Sequence, residues 1–377
     1  MLRRLAIGLA GLAATAITVA GCASGGANQT LSVGPSFAPQ SLYATNATQN
    51  GISIYTSASG GGPSYQISTG GSGGGLNGPQ YLAFDNSADI FSTNWQPSLK
   101  AGGIVEIKAQ ATGNVIPFNT FSYGTTHPRG IAGYSTTTSG TTTNFLVTAV
   151  VDPTQPATFS NQLQLFNAGV LGAAIETVAG PNTGLNVPSG VAVDANHNIY
   201  VTNLQGASVE EFTIPTPSPT PSPTATASPT ATPTPTATPT GATASPSPTP
   251  SPTATPVNIP PVKTLTTDIG QPTGVALDGS GNLYVSDQAS TACSPACPAI
   301  LVFASGSTTP TFIAGSNTKL FSPTDVKVDS SGKIYVADST SSGAGVIYVF
   351  AAGATGNVAP ATTFTSPGTV IGLGLAP

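Results

Sequence analysis

Four aspartates recur at one position of the chain: Asp85, Asp194, Asp278 and Asp329 each close a short apolar run and open a turn. Brought together, such carboxylates could serve general acid–base chemistry or hold a divalent cation. Their recurrence argues for another use, because an Asp at the entry to a turn accepts backbone N–H bonds and caps it. A second set, Asn46, Asn94, Asn203, Asp287 and Asp338, ends the run that follows, with Ala149 in its place once. Capping is expected there too. This second set stands at the opposite end of the hairpin, which leaves ligand or cation binding open for it.

Other reactive side chains are few. Of two histidines, His197 lies in the turn Asn196-His197-Asn198 and is expected to be exposed, while His127 precedes Pro128 and Arg129. The position of Arg129 is taken elsewhere by Gln80, Ser189, Thr273 and Thr324. That polar, mostly uncharged set, with His127, is the candidate binding site, and it favours binding over proton transfer. The four glutamates, Glu106, Glu176, Glu210 and Glu211, fall in contexts expected for outer strands. Cys293 and Cys297 occur as CSPAC, a spacing that suits a local disulfide pinning a loop in an oxidising compartment. A metal would need two further ligands there, and a redox pair ordinarily has two intervening residues. No catalytic residue, metal or cofactor is implied.

The element that positions these residues is best seen at 272–287, PTGVALDGSGNLYVSD, which reads as strand, turn, strand. Six proline-anchored strand starts follow the same pattern, at Pro79, Pro128, Pro188, Pro272, Pro323 and Pro367. Most are followed by a second strand, a third such as Ile300-Leu301-Val302-Phe303, and a more irregular fourth containing Thr and Phe. Four short antiparallel strands about every 45 residues are the signature of a β-propeller blade. The motif P-x-G-V-A-V-D-x-x-G-N-[IL]-Y-V-[ST]-D resembles the NHL family, clearly from Pro188, Pro272 and Pro323, fairly from Pro79 and weakly from Pro128. The resemblance implies an all-β propeller, commonly of six blades, with the polar set on the rim of its central channel.

The ends agree with six blades. The chain enters with Leu42–Asn46 matching a second strand and leaves after Val370–Leu375 matching a first. The two partial blades make one, so the C-terminal strand is expected to close the ring on the N-terminal strands and leave no inner edge open.

Residues 215–256 are one-third proline, with Thr, Ser and Ala and nothing apolar larger than Ala. Such a tract cannot form a core and is expected to be disordered, with polyproline II character and a contour of at most about 130 Å. Neither flank holds enough blades to close alone, so it is placed as a loop insertion between the third and fourth strands of the Pro188 blade. A wall-spanning, glycosylated or protein-binding arm and a tolerated low-complexity expansion both fit it.

The N-terminus reads as an export signal: Arg3 and Arg4, an apolar run from Leu5 to Ala20, then a small-residue exit. Val19-Ala20-Gly21-Cys22 resembles the lipobox of bacterial lipoproteins, which implies a signal at 1–21 and acylation of Cys22. An ordinary leader with an incidental cysteine is the alternative. Ala23 after the cysteine leans, by the same resemblance, towards the outer membrane or cell surface. Residues 22–40, rich in Gly, Ser and Asn, read as a flexible tether ahead of the propeller at 41–377.

Charged residues are only 6% of the chain, and loss of the leader removes two of its nine Lys and Arg against 14 acidic residues. No basic cluster exists for nucleic acid. The function expected is therefore that of a monomeric, membrane-anchored binding module for protein or glycan. A lactonase, gluconolactonase or lyase built on the propeller and a structural envelope protein are the alternatives.

Overall fold

A computed structural model of the chain describes residues 41–69, 75–96, 101–152, 154, 155, 157, 159–213 and 256–377. The expected leader, the tether and, apart from Pro256, the Pro/Thr/Ser tract lie outside them.

The hairpin unit forms because its alternating apolar residues pack to both sides while Asp278 organises the turn. Its Oδ1 accepts the N–H groups of Ser280 and Asn282 at 2.9 Å each, and Oδ2 accepts from the Asn282 amide and the Tyr284 hydroxyl. Asp85, Asp194 and Asp329 accept the equivalent pairs of backbone N–H groups. The third residue after each Asp turns left-handed: Gly281 and Gly332 do so freely, and Ala88 and His197 do so with a side chain, at φ of 61° and 66°.

Six sheets result. Blade 1 runs from Pro79–Phe84 outward through Ile90–Gln96 and Ala101–Ile107 to Asn119–Gly124, and blade 2 from His127–Thr138 through Thr141–Val151 and Asn161–Asn167 to Glu176–Ala179. Blade 3 holds Pro188–Val193, Asn198–Asn203, Ser208–Thr213 and Lys263–Leu265, so the tract does leave between its third and fourth strands. Blade 4 holds Pro272–Leu277, Leu283–Ser290, Cys297–Phe303 and Pro310–Ala314, and blade 5 Asp325–Val328, Ile334–Ser339, Gly345–Phe350 and Thr362–Thr365. Blade 6 is built from both ends: Leu373–Leu375 is its inner strand and pairs Leu42, Tyr43 and Ala44 with Leu375, Gly374 and Leu373, followed by Gly51–Tyr55 and Tyr65–Thr69. The expected ring of six closes in this way.

Buried apolar side chains gather at the interfaces between neighbouring blades. Leu373 and Ala44 pack with Ile347 and Phe364 where blade 6 meets blade 5, and Ile52 and Ile54 pack with Leu82 and Val105 where it meets blade 1. Phe166, Phe212, Phe303 and Phe350, at the ends of third strands, are fully buried wedges.

Two further devices join the blades. Hydroxyls on second strands reach the next inner strand: Thr45 donates to Gln80 O at 3.0 Å, Thr93 to Arg129 O at 2.6 Å and Thr202 to Thr273 O at 3.0 Å. Outside, loops ahead of fourth strands latch onto the previous blade in parallel register, Gly61 to Phe364, Gly113–Val115 to Ile67–Thr69, Val257 to Val178 and Gly356 to Ile313. The Asn258 and Asn357 side chains fasten two of these latches by accepting from Asn182 N at 2.9 Å and Asn317 N at 2.7 Å.

One register differs from the sequence expectation. In blade 2 Val150, and not Ala149, stands opposite Pro128, across the same bulge that sets Asn94, Asn203 and Asp287 opposite Pro79, Pro188 and Pro272.

Candidate functional site

Inner strands run from the face carrying the proline anchors to the face carrying the aspartate turns. Two steps in from each anchor the backbones nearly touch. A Cβ on Gly130 would lie 2.1 Å from Ser189 O, and one on Gly190 would lie 2.8 Å from Thr273 O. Gly274 stands at the same level, as does Gly372 of blade 6, five residues after Pro367, against Gln80 and Tyr81, but blades 1 and 5 place Tyr81 and Asp325 there. The space left by four glycines is filled by these two side chains.

Tyr81 crosses the axis. Its hydroxyl lies 3.2 Å from Ser189 Oγ and 3.4 Å from the carbonyl oxygens of Thr273 and Thr324, so one side chain of blade 1 bonds to blade 3, to blade 4 and to the segment entering blade 5. Burial, with the Asp325 charge adding to it, pushes the phenol up to about 12, against the Ser189 hydrogen bond and the Arg129 charge. Asp325 is buried and takes both Lys327 Nζ contacts at 2.9 Å, Leu373 N at 2.8 Å and Val326 N at 2.9 Å. Burial still raises its carboxyl above the usual range, against the pull of Lys327. Below Tyr81 a cavity of about 320 Å³ opens on the turn face, lined mainly by Leu82, Phe84, Ile131, Val275 and Leu277 with Lys327. Lys327 is already committed to Asp325, and Asp85 and Asn86 stand at the mouth of this cavity, so its wall is mixed, with aliphatic side chains and a neutralised cation beside polar groups.

The polar set expected at the rim is largely occupied in holding the ring. Ser189 and Thr273 are buried. Thr273 donates to Pro323 O at 2.9 Å, Thr324 to Val370 O at 3.2 Å, and Gln80 to Gly78 O at 3.0 Å. His127 stacks on Trp95 with ring centroids 4.3 Å apart. Burial first, and Arg129 second, lower its pKa to about 3, so it is a neutral ring with Nε2 buried and unpartnered. Arg129 Nε is also buried without a partner. His197 is half-buried against Tyr134 rather than exposed, with ring centroids 5.1 Å apart.

The second recurring set caps the incoming loops. Asp287 accepts from Gly270, Gln271 and Ala289 N–H, Asp338 from Phe321, Ser322 and Ser339, and Asn203 from Asn186. Glu106 and Glu210 are buried in third strands, the first held by Lys108 and the second by Ser208 and Thr264. Among the described residues no three of His, Cys, Asp and Glu gather in a way that could hold a metal ion.

A different site lies on the proline face between blades 4 and 5. A groove of about 490 Å³ is lined by Lys319, Phe321, Thr340, Ser341 and Tyr348, with Cys297 at one end. Cys293 and Cys297 are joined in a disulfide, half-buried against the blade 4 core. Asp338 grips the backbone of Phe321 and Ser322, which presents the Phe321 ring 54% exposed. Phe321 was missed in the sequence, although the signal existed: it stands where other blades place Asn77, Asn186 or Gly270. A third cavity, about 540 Å³ between blades 5 and 6, is lined by Tyr55, Tyr335, Phe350 and Phe364 with Lys333 and Ser41.

No family model matches the chain, and no curated protein does. Solved structures do. The chain is similar to a protein of unknown function from Bacteroides caccae, 10% identical with a TM-score of 0.54, over 90% of this chain and 99% of that one. A protein from Lactobacillus plantarum is 12% identical with a TM-score of 0.50, over 90% and 99%. A luciferin-regenerating enzyme is 10% identical with a TM-score of 0.47, over 87% and 94%. At these identities the likeness is one of fold.

Proposed function

We propose that this chain is an exported, lipid-anchored propeller that binds a protein or glycan partner on its proline face and carries out no reaction at its axis. The observation that carries the reading is the Tyr81 hydroxyl bonded across the axis to Ser189, Thr273 and Thr324, which fills the place where a propeller enzyme would gather a reacting group or a cation. The groove beside Phe321 supplies what the axis lacks. An exposed aromatic ring, two hydroxyls and one Lys suit the apolar face and hydroxyl edge of a sugar, or a peptide with a carboxylate. The disulfide and Asp338 hold its walls in place before binding, which lowers the ordering cost of the complex. Export and anchoring rest on the leader and on Cys22, and the NHL-like motif agrees with an interaction role.

The test combines two measurements on the purified chain from Ala23 onward. Metal content and lactone hydrolysis are expected to be at background, and binding to isolated cell-envelope polysaccharide and envelope protein extracts is expected to fall at least tenfold in Phe321→Ala. Turnover abolished by a chelator, or binding indifferent to Phe321, overturns the reading.

A further inference from the structure

The residues that follow the proline anchors share one rim of the axis, and four of their side chains are spent on the ring. Ser189 bonds the Tyr81 hydroxyl at 3.2 Å, Thr273 donates to Pro323 O at 2.9 Å, Thr324 to Val370 O at 3.2 Å, and Gln80 gives one amide N–H to Gly78 O at 3.0 Å. Blade 6 has Gly368 at this position, with no side chain to offer. Arg129 departs from the pattern. Its carbonyl oxygen accepts from Thr93 at 2.6 Å, but its Nε is buried and unpartnered. Among the described residues no carboxylate pairs with its charge, since the ion pairs are made by Lys108 and Lys327. Asp325, the axial carboxylate, is held by Lys327 at 2.9 Å. His127, two residues before Arg129, also leaves Nε2 buried without a partner. The Arg129 charge pulls down the pKa of both the Tyr81 phenol and the His127 ring, which places it between the axis and the stack on Trp95.

We infer that the proline-face mouth of the axis is a binding site for a carboxylate group, with Arg129 supplying the cation. A guanidinium cannot shed its charge, and a partly buried charge without a counter-ion is costly, so an anion completes what the chain leaves open. The planar fork of N–H donors matches the two oxygens of a carboxylate. The local charge selects a monoanion over a phosphate. Arg129 is the single cation among the six residues that follow the anchors, and the carbonyl oxygens of Thr273 and Thr324 already face the Tyr81 hydroxyl, where they oppose further negative charge. Gln80 keeps a second amide N–H, and the neutral His127 ring can donate one, so the same rim offers uncharged donors beside the cation. Tyr81 closes the channel beneath, which keeps the bound group at the mouth. The site is separate from the Phe321 groove and stands whether or not that groove binds. Its carboxylate can belong to a uronic acid, a peptide end or a free small acid, and the experiment tells these sources apart.

Trp95 is the single tryptophan of the chain and stacks on His127, so its fluorescence reads the site. The purified protein is titrated with acetate, glucuronate and N-acetylalanine at an ionic strength held constant with chloride, and its melting temperature is followed in the same solutions. A saturable change with a Kd of about 1 mM for acetate is expected. Binding is expected to weaken at least tenfold in Arg129→Gln and by less in Arg129→Lys, which keeps the charge and loses the fork. Glucuronate binding tighter than acetate marks a sugar as the carrier, N-acetylalanine binding tighter marks a peptide end, and equality marks a free small acid; each supports the site. Phe321→Ala is expected to bind acetate like wild type, so failure of the groove and failure of this site are read apart. Wild-type protein with neither a fluorescence change nor a rise in melting temperature at tens of millimolar acetate overturns the inference. So does Arg129→Gln that binds acetate as tightly as wild type, or phosphate that binds as tightly as acetate. Should Arg129→Gln fail to fold, methyl acetate replaces it as the test of charge: an ester that binds wild type as well as acetate does overturns the inference, and an ester that does not bind supports it.

Discussion

The hydroxyl of Tyr81 in blade 1 lies 3.2 Å from the hydroxyl of Ser189 in blade 3, a contact between blades that are not neighbours in the ring. Each propeller blade ordinarily touches only its two neighbours, so stability is a sum of nearest-neighbour terms. Tyr81 adds a strut across the axis. Tyr81→Phe keeps the ring and removes the bonds, and is expected to lower unfolding stability by about 1 kcal/mol. Tyr81→Ala opens a cavity and is expected to cost about 3–5 kcal/mol. Denaturant melts check both; equal effects would mean that the hydroxyl, and not the ring, is what matters.

Half-buried Lys327 pairs with the fully buried Asp325 on the wall of the axial cavity. Removing the cation alone leaves a carboxylate in an apolar site, and Lys327→Met is expected to cost about 3–5 kcal/mol at neutral pH. The deficit should depend on pH with a definite sign. The folded-state pKa of Asp325 is already raised, so the folded state binds its proton more tightly than the unfolded chain does. Stability therefore falls as pH rises through the window above the ordinary carboxyl value and is flat beyond it. Without Lys327 that window widens, and the deficit of the variant should shrink as pH drops towards 4. A deficit constant from pH 4 to 8 would contradict the pairing.

His127 stays neutral in its stack on Trp95, with a pKa lowered to about 3. Between that value and the ordinary 6.5 the unfolded chain binds a proton that the folded chain refuses, so acidification through this range destabilises the fold. His127→Phe keeps an aromatic ring over Trp95 and removes the titration. The variant is expected to gain about 1–2 kcal/mol relative to wild type at pH 5, and less at pH 7.5. Parallel stability curves for the two proteins would show that the ring is not held neutral.

Ala88 occupies a left-handed turn position that blades 4 and 5 give to Gly281 and Gly332. Relief of the Cβ clash outweighs the extra freedom glycine confers on the unfolded chain, so Ala88→Gly is expected to stabilise by about 0.5–1 kcal/mol. A lower melting temperature would argue against strain at this turn.

The ring is closed by three residues, Leu373 to Leu375, on Leu42 to Ala44, with Val370 and Leu373 fully buried beside them. Deleting residues 369–377 exposes that inner edge and the faces of blades 5 and 6. The truncated chain is expected to unfold or to associate through the open edge, by light scattering and melting. A monomer with the wild-type melt would show that closure contributes little.

The repeated hairpin was legible because its determinants are local: alternating apolar residues, an Asp that caps its own turn and a Gly that takes the left-handed position all lie within sixteen residues, from Pro272 to Asp287. Count and closure followed from spacing. The latches escaped, although the runs Gly113-Asn114-Val115, Val257-Asn258-Ile259 and Gly356-Asn357-Val358 share a pattern. Each pairs with a neighbouring blade, and nothing in its own stretch says so.

What the sequence determined by itself is the unit, its number and the way the ends join, since each depends on residues near in the chain or on simple spacing. Which residues share the axis, and which face carries which surface, was decided by the tertiary structure. Tyr81, Ser189 and Asp325 come within reach of one another because closing six blades leaves a narrow central space, and the glycines at Gly130, Gly190, Gly274 and Gly372 leave it for two side chains alone.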